Sequence, residues 1–462
     1  MSAKEIHSAS GYDFGDYTTI GILPKNAELT PESAPIAETN LEALKKRIHT
    51  KLVSQIHPDE LAGLAEDKRR NEIRKVAEHL VDLESPQLNA SERRKLVDDL
   101  MDDMLGLGPL EKLFQDQTIS DILVNGPQQV YIERQGVLEE TSVRFRDEQH
   151  LLEIIYRIVS SVGRRVDDSS PIVDARMKDG SRINAIISPL ALRGPTLSIR
   201  RFRKDPIRIA DLLASGAMAP EMACFLEAAV KARLNILISG GTGSGKTTLL
   251  NILSSFIPNS ERIITIEDAA ELQLQQKHVV QLESRPPNVE GEGEITLRQL
   301  VRNSLRMRPN RIIIGECRGS EALDMLQAMN TGHEGSLSTL HANTPRDALS
   351  RLEIMLLTTG VDIPLRALRE QIASTIHLIV QTERLPGGQR RVTHISEVVP
   401  TMQDLVTLHE LFSFRQLGVD GLGKAYGQFE TSGICPLFHQ RLESAGVGLP
   451  ENLFDKQVLL EI

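Results

Sequence analysis

Tryptophan is missing from this chain, and aromatic residues of any kind make up only 3% of its 462 positions. Proteins that grip single-stranded nucleic acid stack bases on aromatic platforms along a basic groove. With so few aromatics and a formal charge of −10, no nucleic-acid partner is expected. Cysteine is equally scarce. Cys224, Cys317 and Cys435 stand far apart without a C-x-x-C pair, which excludes a zinc framework and suits a reducing cytoplasm. No apolar run approaches the roughly 18 residues of a membrane span, and the N-terminus lacks a signal-peptide pattern. A cytoplasmic chain with peripheral membrane association at most is therefore expected. Hydrophobic residues at 40% and charged residues at 25% are ordinary for a globular protein with room for two or three domains.

What the chain does contain is one strong phosphate-binding signature. The apolar run Ile236-Leu237-Ile238 enters Gly240-Gly241-Thr242-Gly243-Ser244-Gly245-Lys246-Thr247-Thr248, and an amphipathic run (Leu249, Leu250, Ile252, Leu253, Phe256) leaves it. That is strand, loop and helix around G-x-x-x-x-G-K-[ST]. Glycines let successive N–H groups turn inward as an anion nest, and the helix adds its positive end. Lys246 is expected to neutralise the outer phosphates of a nucleotide, and the Thr247 hydroxyl to ligate Mg²⁺. The strand-before, helix-after context argues against a chance glycine loop.

Ahead of this loop the chain changes character twice. Residues 1 to about 38 lack periodicity and read as a flexible tail. Leu41, Leu44, Ile48, Leu52 and Ile56 form one helical face, interrupted by Pro58. Ile73, Val76, Leu80 and Leu83 mark a second helix, and Leu96, Leu100 and Met104 a third, with a capping box from Asn89 to Glu92. This small helical module (39–105) either docks a partner or packs on the next domain. Gly106-Leu107-Gly108-Pro109 breaks the helical pattern. Short strands at Ile119–Val124, Val130–Glu133 and Val137–Glu139, a helix over Leu151–Val159, and strands at Arg182–Ile187 and Thr196–Phe202 predict an α+β domain over 106–206. It ends in Arg200, Arg201, Arg203, Lys204 and Arg208, a stretch that is either a solvated linker or a set of guanidiniums reaching a nucleotide.

From 207 to 462 strands alternate with helices, predicting a mostly parallel, doubly wound α/β domain. Strands are expected at Arg262–Ile266, Val279–Leu282, Arg311–Ile314 and Gly335–Leu340. Ser320, Thr296 and Thr344-Pro345 are expected helix starts. A hairpin around Pro386-Gly387-Gly388 should finish the sheet. Ligands of such sheets sit at the carboxyl ends of the strands, where the glycine loop, Glu267, Glu316 and His341 all fall. A carboxylate ending an apolar strand needs a partner, and Mg²⁺ with its waters is a natural one. The plainer alternative, in which Glu267 or Asp268 caps the next helix, stays open. In Thr331–Asn343, His333 and His341 alternate with Gly, Ser and Thr, which suggests polar groups gathered near phosphates; satisfied structural histidines are the plainer alternative, and it stays open. Neither histidine has a third ligand at metal-binding spacing.

In these segments the chain resembles the type II/IV secretion and pilus ATPase superfamily. The resemblance rests on GGTGSGKTT at 240–248, ITIEDAAEL at 264–272, LRMRPNRIIIGECRG at 305–319 and TGHEGSLSTLHAN at 331–343. Within it, LGLGPLEKLFQDQTISDILVNGP, GRRVDDSSPIVDARMKDGSRINA, GPTLSIRRF and a tail ending LPENLFD are similar to the CpaF family of tight-adherence pilus motors. The similarity spans about residue 95 to the C-terminus. It implies a RecA-like P-loop NTPase core preceded by an α+β domain, a homohexamer, ATP and Mg²⁺ as cofactors, and inner-membrane platform proteins as partners at the cytoplasmic face. Pilus assembly, with retraction by the same motor, is the implied task; traffic of protein or DNA by a type IV secretion ATPase is the alternative. By motif position the resemblance makes Lys246 and Thr247 the Walker A pair, Glu267 the water-activating residue and Glu316 the Walker B glutamate near Mg²⁺. His333 and His341 become the histidine box, and Arg182 with Arg200 or Arg201 the phosphate-contacting arginines. Two departures stand out. Asn310 replaces a commoner Asp but precedes its strand, and a tetracysteine zinc module is absent.

Overall fold

The computed structural model describes residues 38–55, 65–134, 136–202, 206–287, 292–400 and 406–462. The expected tail falls outside them, as do Ile56, Pro58, Arg203 and Lys204. The chain divides into two compact units, residues 1–100 and 101–462.

The first unit is helical: α1 (Glu38–Gln55), α2 (Glu66–Glu84) and the start of α3 (Ala90–Leu105). Ile48 and Leu52, Ile73, Ala77, Leu80 and Val81, and Leu96, Val97 and Leu100 are buried, the spacing of single helical faces. The capping box forms as the sequence predicts. Asn89 Oδ1 accepts from the N–H of Glu92 at 2.9 Å, and Glu92 accepts from the Asn89 N–H at 3.0 Å.

The second unit opens with a single helical turn (Gly108–Leu110) and α4 (Glu111–Gln115). Then come β1 (Ile119–Asn125), β2 (Val130–Arg134), β3 (Val137–Glu140), α5 (Glu148–Ser161), β4 (Ile172–Arg176), β5 (Arg182–Ile186) and β6 (Thr196–Arg200). They make an antiparallel sheet in the order β3-β2-β1-β6-β5-β4. Leu151, Ile154, Ile155, Ile158 and Val159 of α5 join Ile122, Val124, Ile183 and Leu197 of the strands in one core. Strand β4 goes beyond the strands that the sequence predicts: its alternation runs through Asp174 and Arg176 on a sheet edge, so little apolar signal marks it.

The rest of the unit comprises α6 (Ile209–Ala214), α7 (Pro220–Lys231), β7 (Ile236–Gly240), α8 (Lys246–Ser255), β8 (Ile263–Glu267), β9 (Val279–Glu283), α9 (Leu297–Ser304) and β10 (Arg311–Cys317). It continues through α10 (Glu321–Asn330), β11 (Leu337–His341), α11 (Pro345–Leu357), α12 (Leu365–Thr375), β12 (Leu378–Arg384), β13 (Arg390–Pro400), β14 (Val406–Val419), β15 (Ala425–Thr431), α13 (His439–Glu443) and β16 (Val458–Glu461). These strands form one sheet in the order β16-β15-β14-β13-β12-β7-β11-β10-β8-β9. From β12 to β9 neighbours are parallel. Ile236 and Ile238 join one core with α7 and α8, whereas Leu237 between them joins the other with α9–α12. Alternate residues of a strand face opposite ways, so continuous apolar strands are explained by helices on both sides.

Beyond the predicted hairpin the sheet does not finish. Strands β13 to β16 add an antiparallel meander, in which exposed polar positions break up the hydrophobic pattern. Helix starts are mostly as expected. Thr344 accepts from the Asp347 N–H, and Thr296 with Gln299 forms a full capping box. At α10, however, the Ser320 side chain does not cap; the Glu321 carboxylate instead takes the N–H groups of Arg318 and Gly319 at 2.6 and 2.8 Å.

Candidate active site

The phosphate loop is shaped by glycine where nothing else fits. A Cβ on Gly240 would collide with the Thr382 carbonyl and the Ser244 hydroxyl. Gly243 and Gly245 adopt φ of 69° and 99°, left-handed turns that alternate with ordinary ones and swing N–H groups to one side. Gly245 then caps α8. The loop is tied down by Ser244 Oγ, which donates to the Gly241 carbonyl at 2.9 Å and lies 3.0 Å from Thr382 Oγ1. Lys246 Nζ donates to the Gly241 carbonyl at 2.9 Å, and burial pulls its pKa down.

Parallel register brings the other strand ends to the same edge. Gly240 is level with His341, and Leu340 with Cys317 next to Glu316. Ile314 is level with Ile266, next to Glu267. The half-buried Glu316 carboxylate accepts from Arg318 Nη2 at 2.6 Å. Burial tends to raise its pKa, but Arg318, Lys246 and His341 hold it below the usual carboxylate value. Burial and the nearby Lys246 pull the pKa of His341 down.

Glu267 is different. It is buried, lying across Gly315, where a Cβ would come 2.8 Å from its Cγ. Oε2 accepts from the N–H groups of Glu271 and Leu272 at 2.8 and 3.0 Å, while Oε1 is buried without a hydrogen-bond partner. Burial outweighs those bonds and pushes its pKa up to about 7. The cap-like alternative is thus half realised: one oxygen pins the following turn, with no helix there, and the other is left for a proton. A carboxylate poised near neutrality is suited to general-base work.

The amino-terminal sheet reaches this edge through Arg182. Its guanidinium lies 3.0 Å from the Glu271 carboxylate and donates to the Ala269 carbonyl at 3.3 Å. Arg200 is its cross-strand partner and pairs with Asp121 at 3.1 Å. Two expected residues lie elsewhere. Arg201 follows Arg200 and points to the opposite side, where it donates to the carbonyls of Leu113, Phe114 and Asp116 and stacks on the Phe114 ring. Its guanidinium is committed to closing α4, so it does not join the phosphate site of this chain. His333 precedes β11 at the amino edge of the sheet, with Nδ1 3.0 Å from the Pro309 carbonyl. A five-residue strand of about 16 Å separates it from His341. Asn310 also lies at that edge, accepting from the Arg262 N–H at 2.8 Å, clear of the phosphate loop.

Sequence reasoning missed three arginines at the site edge. Arg318 stands two residues past Glu316 and also faces Asp268 at 3.9 Å; its place in GECRG was the available signal. Arg384 and Arg390 flank the Pro386–Gly388 turn, and Arg390 Nε donates to the Gly243 carbonyl at 2.8 Å. No local pattern marks them.

The profile of the type II/IV secretion system protein family matches residues 103–394, most of the chain. The chain belongs to this family. It is an ATP-hydrolysing type II/IV secretion ATPase with a RecA-like core. A Mycobacterium tuberculosis protein named for conjugal transfer is 40% identical over 303 residues, 64% of this chain and 86% of that one. The conjugal transfer protein TrbB of Rhizobium radiobacter is 32% identical, over 65% and 90% of the two chains. The type IV secretion system protein VirB11 of Bartonella quintana is 31% identical, over 63% and 91%. Among solved structures, the secretion ATPase aligns with the pilus retraction motor PilT bound to ADP at 21% identity, 64% and 83% coverage and a TM-score of 0.47. Among the described residues no helix is long and apolar enough to cross a membrane.

Proposed function

We propose that this secretion ATPase is the Mg²⁺-dependent motor of a type IV secretion or conjugation machine, working as a homohexamer at the cytoplasmic face of the inner membrane. The carrying observation is that Arg182 of the amino-terminal sheet sits on the turn that holds Glu267. A domain whose contacts include the catalytic turn feels nucleotide turnover, and a hinge between such domains converts it to motion. The domains we infer are the helical module to 105, the α+β domain over 106–206 and the RecA-like domain from 207. Relatives named for conjugal transfer and type IV secretion favour macromolecular traffic over pilus building.

Magnesium fits the donors present. Thr247 brings a hydroxyl to the first turn of α8, and Glu316 offers a carboxylate whose pKa its basic neighbours hold down. Both are hard oxygen ligands, and among the described residues no cluster of three or more His, Cys, Asp or Glu could hold a metal without other donors. The ion supplies Lewis-acid stabilisation of phosphate charge. Lys246 binds the phosphates, Glu267 takes a proton from water, and Arg182 and Arg200 are placed to meet developing charge. His341 orients the Glu316 side of the site.

Lys246→Ala and Glu316→Gln variants should fold but lose ATP turnover, and cells carrying them should lose transfer of the secreted cargo. Unimpaired transfer with Glu316→Gln would refute the motor reading. A second reading, the tight-adherence pilus motor, is favoured by the segments LGLGPLEKLF, GRRVDDSSPIVDARMKDGSRINA and GPTLSIRRF. Loss of surface pili with intact transfer would select it, with inner-membrane pilus platform proteins as partners.

A further inference from the structure

Arg384 ends β12, Arg390 opens β13, and the two are cross-strand partners. Strand β12 runs beside β7 with Thr382 level with Gly240, so residues just past Thr382 overhang the phosphate loop. Arg390 grips the Gly243 carbonyl. A Cβ on Gly243 would come 3.6 Å from Arg384 Nη1, and one on Gly245 would come 3.5 Å from Arg390 Cδ. Both side chains therefore pack against the two left-handed positions that shape the nest.

The far side of both guanidiniums belongs to the amino-terminal sheet. Glu133 on β2 lies 3.8 Å from Arg384 and 3.7 Å from Arg390. Arg384 also donates to the carbonyl of Gly136, immediately before β3. Gly136 abuts Gly388 so closely that a Cβ there would come 3.3 Å from the Gly388 carbonyl. One carboxylate and one turn of the amino-terminal domain thus hold two cations that rest on the nucleotide loop.

We propose that Arg390, held in place by Glu133, is a positioning residue for the phosphate loop, and that the Glu133–Arg384–Arg390 bridge lets the amino-terminal domain set the nucleotide affinity of its own chain. The Gly243 carbonyl must face away from the phosphates for neighbouring N–H groups to face them, and Arg390 fixes it there. Moving Glu133 away frees both arginines and loosens the nest. The inference rests on the loop holding nucleotide, whatever the cargo moved.

The test is a titration of the full chain with fluorescent ADP, alongside steady-state ATPase kinetics, for Glu133→Gln, Arg390→Gln, the double variant and Arg390→Lys. Each Gln variant should raise Kd and KM about three- to tenfold while kcat changes less than about twofold. The double variant should be no worse than Arg390→Gln, and Arg390→Lys, which keeps a donor for Gly243, should recover part of the loss. Unchanged Kd in the single variants, strict additivity in the double, or a lowered melting temperature without a change in Kd would each overturn the proposal. Should Arg390→Gln fail to fold by circular dichroism, Glu133→Gln and Arg384→Gln carry the same expectation. Wild-type protein that binds no ADP would instead sink the nucleotide reading.

Discussion

Arg182 and Glu271 meet at 3.0 Å across the two sheets of the second unit, and the Glu271 backbone N–H in turn donates to Glu267. The cation of one domain therefore sits against the turn that orients the candidate base of the other. Arg182 also draws the Glu267 pKa downward against the effect of burial.

From this follows a pH dependence. A base with a pKa of about 7 is half protonated there and fully competent only above it, so kcat/KM should rise through pH 7. Removing the Arg182 charge in Arg182→Gln should move that limb to higher pH. Glu267→Gln should abolish the limb and lower kcat by about 10²–10⁴ while ADP still binds. A pH–rate profile of the three proteins decides it; a limb unmoved in Arg182→Gln would contradict the coupling.

Arg201 makes the contrasting case. Its donors close the end of α4, so Arg201→Ala should cost about 1–3 kcal/mol of stability through stranded carbonyls. KM for ATP should not change. Thermal melts paired with ATPase kinetics separate this from a phosphate-contacting role, which would raise KM.

The two histidines should behave unlike each other. His341 lies in the field of Lys246 and Glu316, and His341→Gln should lower kcat by about 10-fold or more, as loss of an active-site polar group does. His333→Gln, at the far edge of the sheet, should leave kcat within about twofold and lower the melting temperature. Equal losses in kcat would place His333 at a phosphate site after all.

His377 should contribute to acid sensitivity. Its Nδ1 accepts from the Asn235 N–H at 3.1 Å, and burial with Arg441 nearby lowers its pKa to about 4. The unfolded chain takes up a proton near pH 6.5 and the folded one does not, so stability is full above 6.5 and falls as pH drops toward 4. The loss is on the order of 2–3 kcal/mol. Urea midpoints measured at pH 8 and pH 5 should differ less in His377→Gln than in the native chain.

Local chemistry was enough to read the strand–loop–helix at 236–256, the capped starts of α9 and α11, and the polar strand ends Glu267, Glu316 and His341. Each is a local consequence of backbone freedom, capping chemistry or an apolar run that stops at a charge. The order of strands is not local. Only the sheet could decide that β12 lies beside β7, which carries Arg384 and Arg390 over the phosphate loop from more than a hundred residues away. Likewise, the sequence named Arg200 and Arg201 together. The alternation of side chains across β6 sent one to share a face with Arg182 and the other to close a helix. The pKa of Glu267 belongs to the same class: its residue type and place at a strand end were legible, but desolvation is a property of what packs around it, and the packing comes from the fold.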